Sequence, residues 1–507
     1  MSCFTCRDCG SINLLLLESR FKATQSSDSL VSQILRGQRP VLDAEHTLLT
    51  AEIVELEQQH SVYAAQLEEI QLRQCAVLKA LESRKSIYAP IHRLPRDILI
   101  EIFHSVCDSW WQEKRSPHVH HSLHVSGPLW VLGRVCGLWR DTLHSSPASW
   151  ARKLVVREPF SKHALEILQT YLEHTGEHLL NLQVSCRDST DDDILSLLVQ
   201  SSQRWKILHI DVVKSCMSHF KSISHLPALQ AIEIYIYNAH GSDDRWDMCL
   251  GAPQLWHARL QGHGIHQIRL PPGITKFSGS ITCPEDLRLF SQLRNLRRCH
   301  LWMTPAMVTT EAFTVVTVTQ LTHLYVDGAD ILNFLSAPLL GSLTINPISQ
   351  RPQSSSAPES ITRFLHRSRC HLESLSIGKE VFTLDTSTRM FALEACSTIS
   401  RLKLELHPGL INGIVEALTA PTALPNLHHL ILCLFKPSGD EYVTLLPLVR
   451  SRSHAGLLKL VEVQYIQERH DRSLEKDIRA HTGDGDLEMR VGKWDPPGRD
   501  VYLWHLP

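Results

Sequence analysis

Residues 398–404, "TISRLKL", and residues 426–432, "NLHHLIL", carry apolar side chains at the same three positions, i, i+3 and i+5. The last two of these positions lie on one face of a β-strand, because strand side chains alternate with a period of two. Chance places apolar residues at three fixed positions about 8% of the time, so the number of matches decides little. The template recurs after residue 150 in nine phrases: "LLNLQV", "RWKILHI", "ALQAIEI", "NLRRCHL", "LTHLYV", "LLGSLTI", "HLESLSI", "TISRLKL" and "NLHHLIL".

The spacing of these phrases is more informative than their number. Their middle apolar position recurs at intervals of 26, 24 and 26 residues, and later of 19, 32, 27 and 28 residues. Leucine-rich repeats have a period of about 20 to 29 residues. The Asn or Cys that usually follows the strand is mostly missing, so the phrases resemble irregular leucine-rich repeats. The middle positions are Leu182, Leu208, Ile232 and Ala258, and then Leu324, Leu343, Leu375, Leu402 and Leu430.

Helix-like stretches separate the strand-like phrases, among them residues 161–176 and residues 191–202. A strand followed by a helix, repeated, builds a parallel sheet through right-handed crossovers. Many such units stack into a curved solenoid whose concave face binds other proteins. Residues 151–507 are therefore predicted to form an irregular leucine-rich-repeat-like domain that binds a target protein. Residues 240–285 lack helical periodicity, and residues 261–280 within them are a candidate for two closely spaced strands.

A long amphipathic helix is predicted over residues 42–88. Its apolar residues lie three and four apart or in whole heptads, which is typical of a helix with a coiled-coil-like seam. His60 and Gln74 interrupt the seam. A helix with this seam could self-associate through residues 42–87, fold back on its own protein, or act as a spacer. The seam residues are Leu49, Ile53, Leu56, Tyr63, Leu67, Ile70, Val77 and Leu81.

Residues 1–41 are predicted to be a flexible, cysteine-containing N-terminus, with a polar linker over residues 18–41. Cys3, Cys6 and Cys9 follow one another at two-residue gaps. A structural zinc site commonly has four ligands, and only three are local here. We therefore predict no metal site, with these three cysteines as the weaker alternative.

Residues 94–103, "LPRDILIEIF", are predicted to begin a new helix. Pro95 suits the start of a helix, where its missing N–H costs nothing, and the charge of Asp97 suits the first turn. The four large apolar residues that follow, at 98, 99, 102 and 103, form one apolar face. A helix this short cannot bury them by itself, so a partner surface is expected in this chain or another.

Together with "VLGRVCGLWRDTLHSSPASW" at residues 131–150, this stretch resembles an F-box, a three-helix module that docks onto the Skp-type adaptor of a cullin ubiquitin ligase. The Leu-Pro start, the aliphatic-Phe helix, the Val-Cys-x-x-Trp segment and the closing Trp occur in the family's order. The whole arrangement is similar to a large group of F-box-like proteins of mushroom-forming fungi. The resemblance assigns the F-box to residues 89–150.

The resemblance implies which residues bind the adaptor. These are Leu94, Pro95, Ile98, Leu99, Ile102 and Phe103, with Val135 and Trp139 divided between that surface and the module's own core. The alternative is that all of them form the core of a helical subdomain. One departure from the family is the connection over residues 107–128, which is longer and more polar than usual and is interpreted as a solvated loop with four histidines.

The composition excludes several classes of function. The chain has 507 residues, 43% of them hydrophobic, and a net charge of -2 without a concentrated basic stripe. We therefore predict no nucleic-acid and no membrane partner. No run of about 18 uncharged apolar residues occurs, as a membrane span would need. The scattered cysteines fit reduced thiols and a cytoplasmic or nuclear location.

The sequence contains no phosphate-binding loop, no His-Glu-x-x-His motif and no nucleophile elbow. We therefore predict a non-catalytic protein without a cofactor. The predicted fold class is α+β and multi-domain: a long N-terminal helix, a three-helix F-box module, and an α/β leucine-rich-repeat-like solenoid with a parallel sheet. The favoured function is a substrate receptor that reaches cullin through the adaptor. The alternatives are a binding scaffold without a ligase role and, less favoured, an enzyme.

Overall fold

The computed structural model describes most of the chain, and it divides the chain into two compact units, Met1–Pro95 and Arg96–Pro507. The predicted boundary after residue 150 falls inside the second unit. The described residues are 28–38, 40, 42–112, 121–187, 192–237, 245–262, 264–303, 315–346, 357–378, 390–406, 408–420, 422–434, 447–448, 451–452, 458–465 and 487–493.

The first unit contains helices α1 (Asp28–Leu35) and α2 (Asp43–Ser86) and a short 3-10 turn at Pro90–Arg93. Helix α2 confirms the predicted long helix, and none of its residues is buried. Helix α1 lies within residues 18–41, which were predicted to be a linker, and corrects that prediction for its eight residues. A helix forms there because the apolar residues of "DSLVSQIL" recur at helical spacing. Among the described residues, no helix is both long and apolar enough to cross a bilayer.

The second unit begins with four helices: α3 (Arg96–Gln112), α4 (Pro128–Val135), α5 (Gly137–His144) and α6 (Pro147–Ala151). Helix α3 is longer than predicted, and its last six residues correct the assignment of the loop that was expected to begin at residue 107. The connection between α3 and α4 is tied directly to β1 of the sheet (Leu154–Arg157), since the backbone N–H of Ser122 donates to Val155 O at 2.7 Å. The Ser122 hydroxyl accepts from Val155 N at 2.9 Å.

After these helices the second unit contains a parallel sheet of fourteen strands, and each strand pairs with the next strand of the sheet along the chain. A separate pair consists of β8 (Val316–Thr317) and β10 (Leu335–Ser336). The large sheet contains β1 (Leu154–Arg157), β2 (Leu180–Cys186), β3 (Trp205–Val213), β4 (Ala231–Tyr237), β5 (His257–Gly262), β6 (Lys276–Ile281), β7 (Arg298–Met303), β9 (His323–Asp327), β11 (Ser342–Asn346), β12 (Ser374–Ile377), β13 (Arg401–Leu406), β14 (His429–Leu434), β15 (Leu460–Tyr465) and β16 (Glu488–Lys493).

The register of the sheet follows the repeated apolar position. Leu182 pairs with Leu208, and the ladder continues strand by strand to Leu430. All of the predicted middle positions lie in this row and are buried. A row of matched apolar side chains fixes the register, because a slip of one residue would turn every one of them towards solvent. The long gap between Ala258 and Leu324 is filled by Phe277 and Cys299, in β6 and β7.

Helices connect some of the strands: α7 (Ala164–Thr175), α8 (Asp192–Gln200), α9 (Met217–Lys221), α10 (Ala357–Ser368) and α11 (Pro408–Thr419). The helices predicted within residues 161–176 and 191–202 are confirmed by α7 and α8. Between β4 and β7 the described connections contain only short 3-10 helices. The prediction of two strands within residues 261–280 is confirmed in part, since β6 lies mostly in this stretch and β5 ends in it.

Three arginines tie successive connections together. Arg204 donates to His178 O at 3.5 Å, beyond the end of α7, and Arg367 donates to Leu332 O at 2.6 Å. Arg452 donates to Leu418 O at 2.9 Å, at the end of α11. Each arginine therefore donates to carbonyl groups that lie about one strand-to-strand interval earlier in the chain. A helix or turn leaves such carbonyl groups without a partner at its end.

Candidate interaction surface

Helix α3 uses two neighbouring stripes in different ways. Leu99, Phe103 and Cys107 lie four residues apart and are buried, Leu99 and Phe103 at 0% exposure. The ring centroid of Phe103 lies 5.0 Å from that of Trp139 in α5. Leu129 and Leu132 of α4 are also buried. This stripe is therefore the core of the helical segment, since a helix buries the face that repeats at three- and four-residue spacing.

The neighbouring stripe of α3 is apolar and exposed. Ile98 is 44% exposed, Ile102 36% and Val106 44%. They are again four residues apart, so their side chains follow one another along the helix surface. On α4, Val131 and Val135 are exposed as well. Single exposed apolar residues are normal, but a continuous row of three on one helix is typical of a surface that meets another molecule.

The structure thus divides the predicted partner-facing residues. Ile98, Ile102 and Val135 are exposed, as a docking role requires. Leu99 and Phe103 lie one position further along the helix, are therefore rotated by about 100°, and face the core. Adaptor contact by these two residues stays a prediction.

The remaining predicted residues differ in their surroundings. Trp139 is half-buried, and its indole Nε1 has no hydrogen-bond partner within the described part of the chain. In the first unit, Leu94 is half-buried and Pro95 is exposed. A partner-binding role stays a prediction for both residues.

A small pocket of about 30 Å³ lies between α3, α4 and the start of the sheet. The ammonium group of Lys153 stands 4.7 Å from the centroid of the Trp111 ring, and burial lowers the pKa of this lysine. Burial raises the pKa of Cys107 to about 11, so its thiol stays protonated at neutral pH. Sequence reasoning missed this cavity because its walls come from segments up to about 65 residues apart. Its lining includes Cys107, Trp111, His121, Trp130, Lys153 and Tyr171.

His121 belongs to the histidine-rich connection that was predicted to be solvated, and it is buried. Its ring centroid lies 5.7 Å from that of His124. His118 and His120 lie outside the described residues. Burial, with smaller contributions from the charges of His124 and Arg157, lowers the pKa of His121 to about 4.

We expect His121 to make the second unit sensitive to acid. Between pH 6.5 and about 4 the unfolded chain binds a proton at this residue and the folded chain does not, so the free energy of unfolding falls as the pH falls. The pKa difference corresponds to a loss of about 3 kcal/mol. Urea denaturation over this pH range should show that His121→Leu removes this part of the dependence. The exposed neighbour offers a control, and His124→Gln should leave the dependence in place.

One face of the sheet carries polar and aromatic side chains at positions directly after the buried middle row. His209 Nδ1 lies 3.0 Å from Glu233 Oε2, and Arg259 Nε lies 3.3 Å from Glu233 Oε1. The Arg259 guanidinium stands 5.8 Å from the centroid of the Trp302 ring. Arg, Trp and Tyr are the residue types that contribute most to protein–protein binding. This face is therefore the best candidate for contact with a large partner on the sheet.

His266, Cys283 and Asp286 form a cluster that could hold a metal ion, since one ligand atom of each lies within 4.8 Å of the others. The buried Asp286 is already hydrogen-bonded, accepting from His266 Nδ1 at 2.8 Å and from Thr282 N at 2.8 Å. Burial and the Asp286 charge raise the pKa of Cys283 to about 12. The cluster is thus held together by its own hydrogen bonds. The three cysteines named from the sequence, at residues 3, 6 and 9, lie outside the described residues.

No family model matches the chain, and no curated protein matches it.

Proposed function

We propose that the chain is the substrate-receptor subunit of a Skp–cullin–F-box ubiquitin ligase. Helices α3 to α6 would form the F-box and dock onto the Skp-type adaptor, which connects the chain to cullin. The sheet domain would be an irregular leucine-rich-repeat solenoid that holds a target protein. Such a complex works in the cytoplasm or the nucleus, and the proposal therefore includes this location.

The observation that carries the proposal is the exposed apolar stripe of α3. Ile98, Ile102 and Val106 face outward beside a stripe that already forms a complete core. Exposed apolar surface gains about 25 cal/mol for each Å² that a partner removes from water. The first helix of the F-box-like stretch therefore keeps an apolar face for an outside surface. Val135 extends the exposed apolar set to α4.

The sequential parallel sheet supports the proposed solenoid. Its ladder places one apolar residue of each strand in a continuous buried row, and the intervals between these residues are close to those of leucine-rich repeats. The opposite face of the strands carries polar and aromatic groups, among them Arg259 and Trp302. Repeat arrays use such an extended surface to bind partners.

In this function the chain performs no chemistry with its own side chains. Holding a target beside a ubiquitin-loaded enzyme raises the effective concentration of a target lysine at the reactive thioester. The contributions of the chain are then its two binding surfaces and the connection between them. The thiol of Cys107 remains protonated at neutral pH, which fits a structural role for this buried cysteine.

Adaptor binding by the full chain tests the proposal. Introducing Ile98→Asp together with Ile102→Asp places two carboxylates in the stripe, and we expect binding to a purified Skp-type adaptor to weaken at least about 100-fold. Isothermal titration calorimetry measures the dissociation constant, and circular dichroism reports whether the helices persist. Leu165→Asp is the matched control, because Leu165 is also exposed and lies on helix α7. Unchanged binding by the double variant would contradict the proposal.

A second candidate function is a leucine-rich-repeat binding scaffold with no ligase role. The burial of Leu99 and Phe103 favours it, because the resemblance assigns these residues to the adaptor-facing surface. The extension of α3 to Gln112 also departs from the family's usual first connection. Under this alternative the wild-type chain folds, binds its target and does not bind the adaptor, so the same titration separates the two functions.

A further inference from the structure

Helix α2 is a long helix without a core of its own. It contains 44 residues, none of them buried, and it extends over about 66 Å at the rise of an α-helix. Ile53, Leu67 and Val77 of its seam are among its exposed residues. An extended helix with an exposed apolar stripe is normally stabilised by packing against another helix. Within the part of the chain that the structure describes, no other element buries any residue of this helix.

The seam has a regular heptad register, in which the first and fourth positions of each heptad, a and d, face a partner helix. Position d is apolar in five successive heptads, and position a alternates between polar and apolar residues. The d positions are Leu49, Leu56, Tyr63, Ile70 and Val77. The a positions are His46, Ile53, His60, Leu67, Gln74 and Leu81.

The two halves of α2 differ in charge. Residues 43–64 contain five carboxylates and no Lys or Arg, whereas residues 65–86 contain three carboxylates and four Lys or Arg residues. Two copies aligned in parallel would place the acidic halves side by side and would bring Glu52 close to Glu57 of the other copy. Like charges at such flanking positions disfavour pairing. Two antiparallel copies instead bring each acidic half against the other copy's more basic half.

Antiparallel alignment also matches the two seams over their whole length. When Ile53 lies beside Val77 of the other copy, Leu81 lies beside Leu49 and Leu67 beside Tyr63, because the numbers of paired residues have a constant sum. His60 then lies beside Ile70 of the other copy and Gln74 beside Leu56. Such side chains bury their apolar part and extend their polar end towards water. At the ends, Glu45 lies beside Lys85 of the other copy, with Asp43 close by, so opposite charges meet.

We infer that α2 binds a second copy of this chain as an antiparallel two-stranded coiled coil through its heptad seam. The inference does not depend on adaptor docking, since the seam lies in the first compact unit and the stripe of α3 lies in the second.

Light scattering after gel filtration of the full chain measures the association. We expect twice the chain mass at micromolar concentration, and Ile53→Asp should raise the dissociation constant at least about 30-fold. Val54→Asp is the matched control, because Val54 is 57% exposed against 54% for Ile53 and lies off the seam. It should change the constant by less than about threefold. A monomeric wild-type chain, or equal effects of the two substitutions, would overturn the inference.

Zero-length cross-linking of the wild-type dimer tests the orientation without any substitution. A carbodiimide joins a carboxylate directly to a lysine amine, and residues 43–64 contain no lysine. Mixing isotopically labelled and unlabelled chains identifies the links between copies. The antiparallel dimer should give links from Glu52 to Lys79 and from Asp43 or Glu45 to Lys85. Links confined to Glu82 and its neighbouring lysines would show a parallel dimer and would overturn the inference.

Discussion

Replacing Trp150 with alanine is expected to loosen the helical segment and the first connection of the sheet together. Trp150 is 2% exposed. Its ring centroid lies 5.3 Å from that of Trp130 in α4 and 5.1 Å from that of Tyr171 in α7. Its indole Nε1 donates to Leu143 O of α5 at 3.1 Å. The Trp150 side chain therefore joins three helices. Helices α4 and α5 precede it in the helical segment, and α7 connects the first two strands of the sheet.

The expected loss is about 3 to 5 kcal/mol of local stability, because a large-to-small change leaves a cavity that the surrounding aromatic rings cannot fill. Hydrogen–deuterium exchange with mass spectrometry should show faster exchange in α4, α5 and α7. Trp150→Phe keeps the ring packing and loses the indole hydrogen bond, so it should cost only about 1 kcal/mol. If Trp150→Ala left exchange in α7 unchanged, the helical segment and the sheet would be independent units.

Replacing Arg452 with leucine should have the second large effect, at the other end of the sheet. The side chain is 2% exposed. Its guanidinium donates to four carbonyl groups, and the described contacts include no carboxylate. Nη1 bonds Leu424 O at 3.0 Å and Nη2 bonds Leu418 O at 2.7 Å. Nη2 also bonds Ala420 O at 2.9 Å and Ala423 O at a shorter distance.

These carbonyls lie at and after the end of α11, where the helix dipole is negative and favours a cation. Leucine would leave several buried carbonyl groups without donors, each at a cost of about 1 to 3 kcal/mol, so a local loss of about 4 kcal/mol is expected. Limited proteolysis should detect it as faster cleavage between β13 and β15. Arg401→Leu is the control, because Arg401 is exposed on β13. Equal protease resistance of the two variants would show that the carbonyls find other partners.

Much of the sheet was predictable from the sequence. The apolar positions at i+3 and i+5 have the period of a strand, and the structure places the first of them in one buried row from Leu182 to Leu430. Helix α2 was predictable for the same kind of reason, since its heptad pattern extends from His46 to Leu81 within a helix of 44 residues. The strand at Phe277 was harder to find because its phrase, "KFSGSI", carries small polar residues where the other strands carry leucine or isoleucine.

For the candidate surface on α3, the sequence predicts the set of apolar residues but not which of them are exposed. Four apolar residues at 98, 99, 102 and 103 predict an apolar face, but two stripes that differ by one position look alike in sequence. The packing of Phe103 against Trp139 decides that the 99/103 stripe is core and the 98/102 stripe is surface. The cavity beside His121 and the arginine contacts had no detectable signal, because backbone carbonyls and distant segments leave no local pattern.

The sequence by itself determined much of the local order of this protein: the long helix α2, most of the strands of the large sheet, and which residue of each of those strands faces inward. These properties depend on periodicity, which is a relation between residues close together in the chain. The tertiary structure decided which stripe of α3 meets solvent, which carbonyls Arg452 satisfies, and how Trp150 joins the helices to the sheet. These properties depend on contacts between segments that only folding brings together, and packing chooses among faces that are equally apolar.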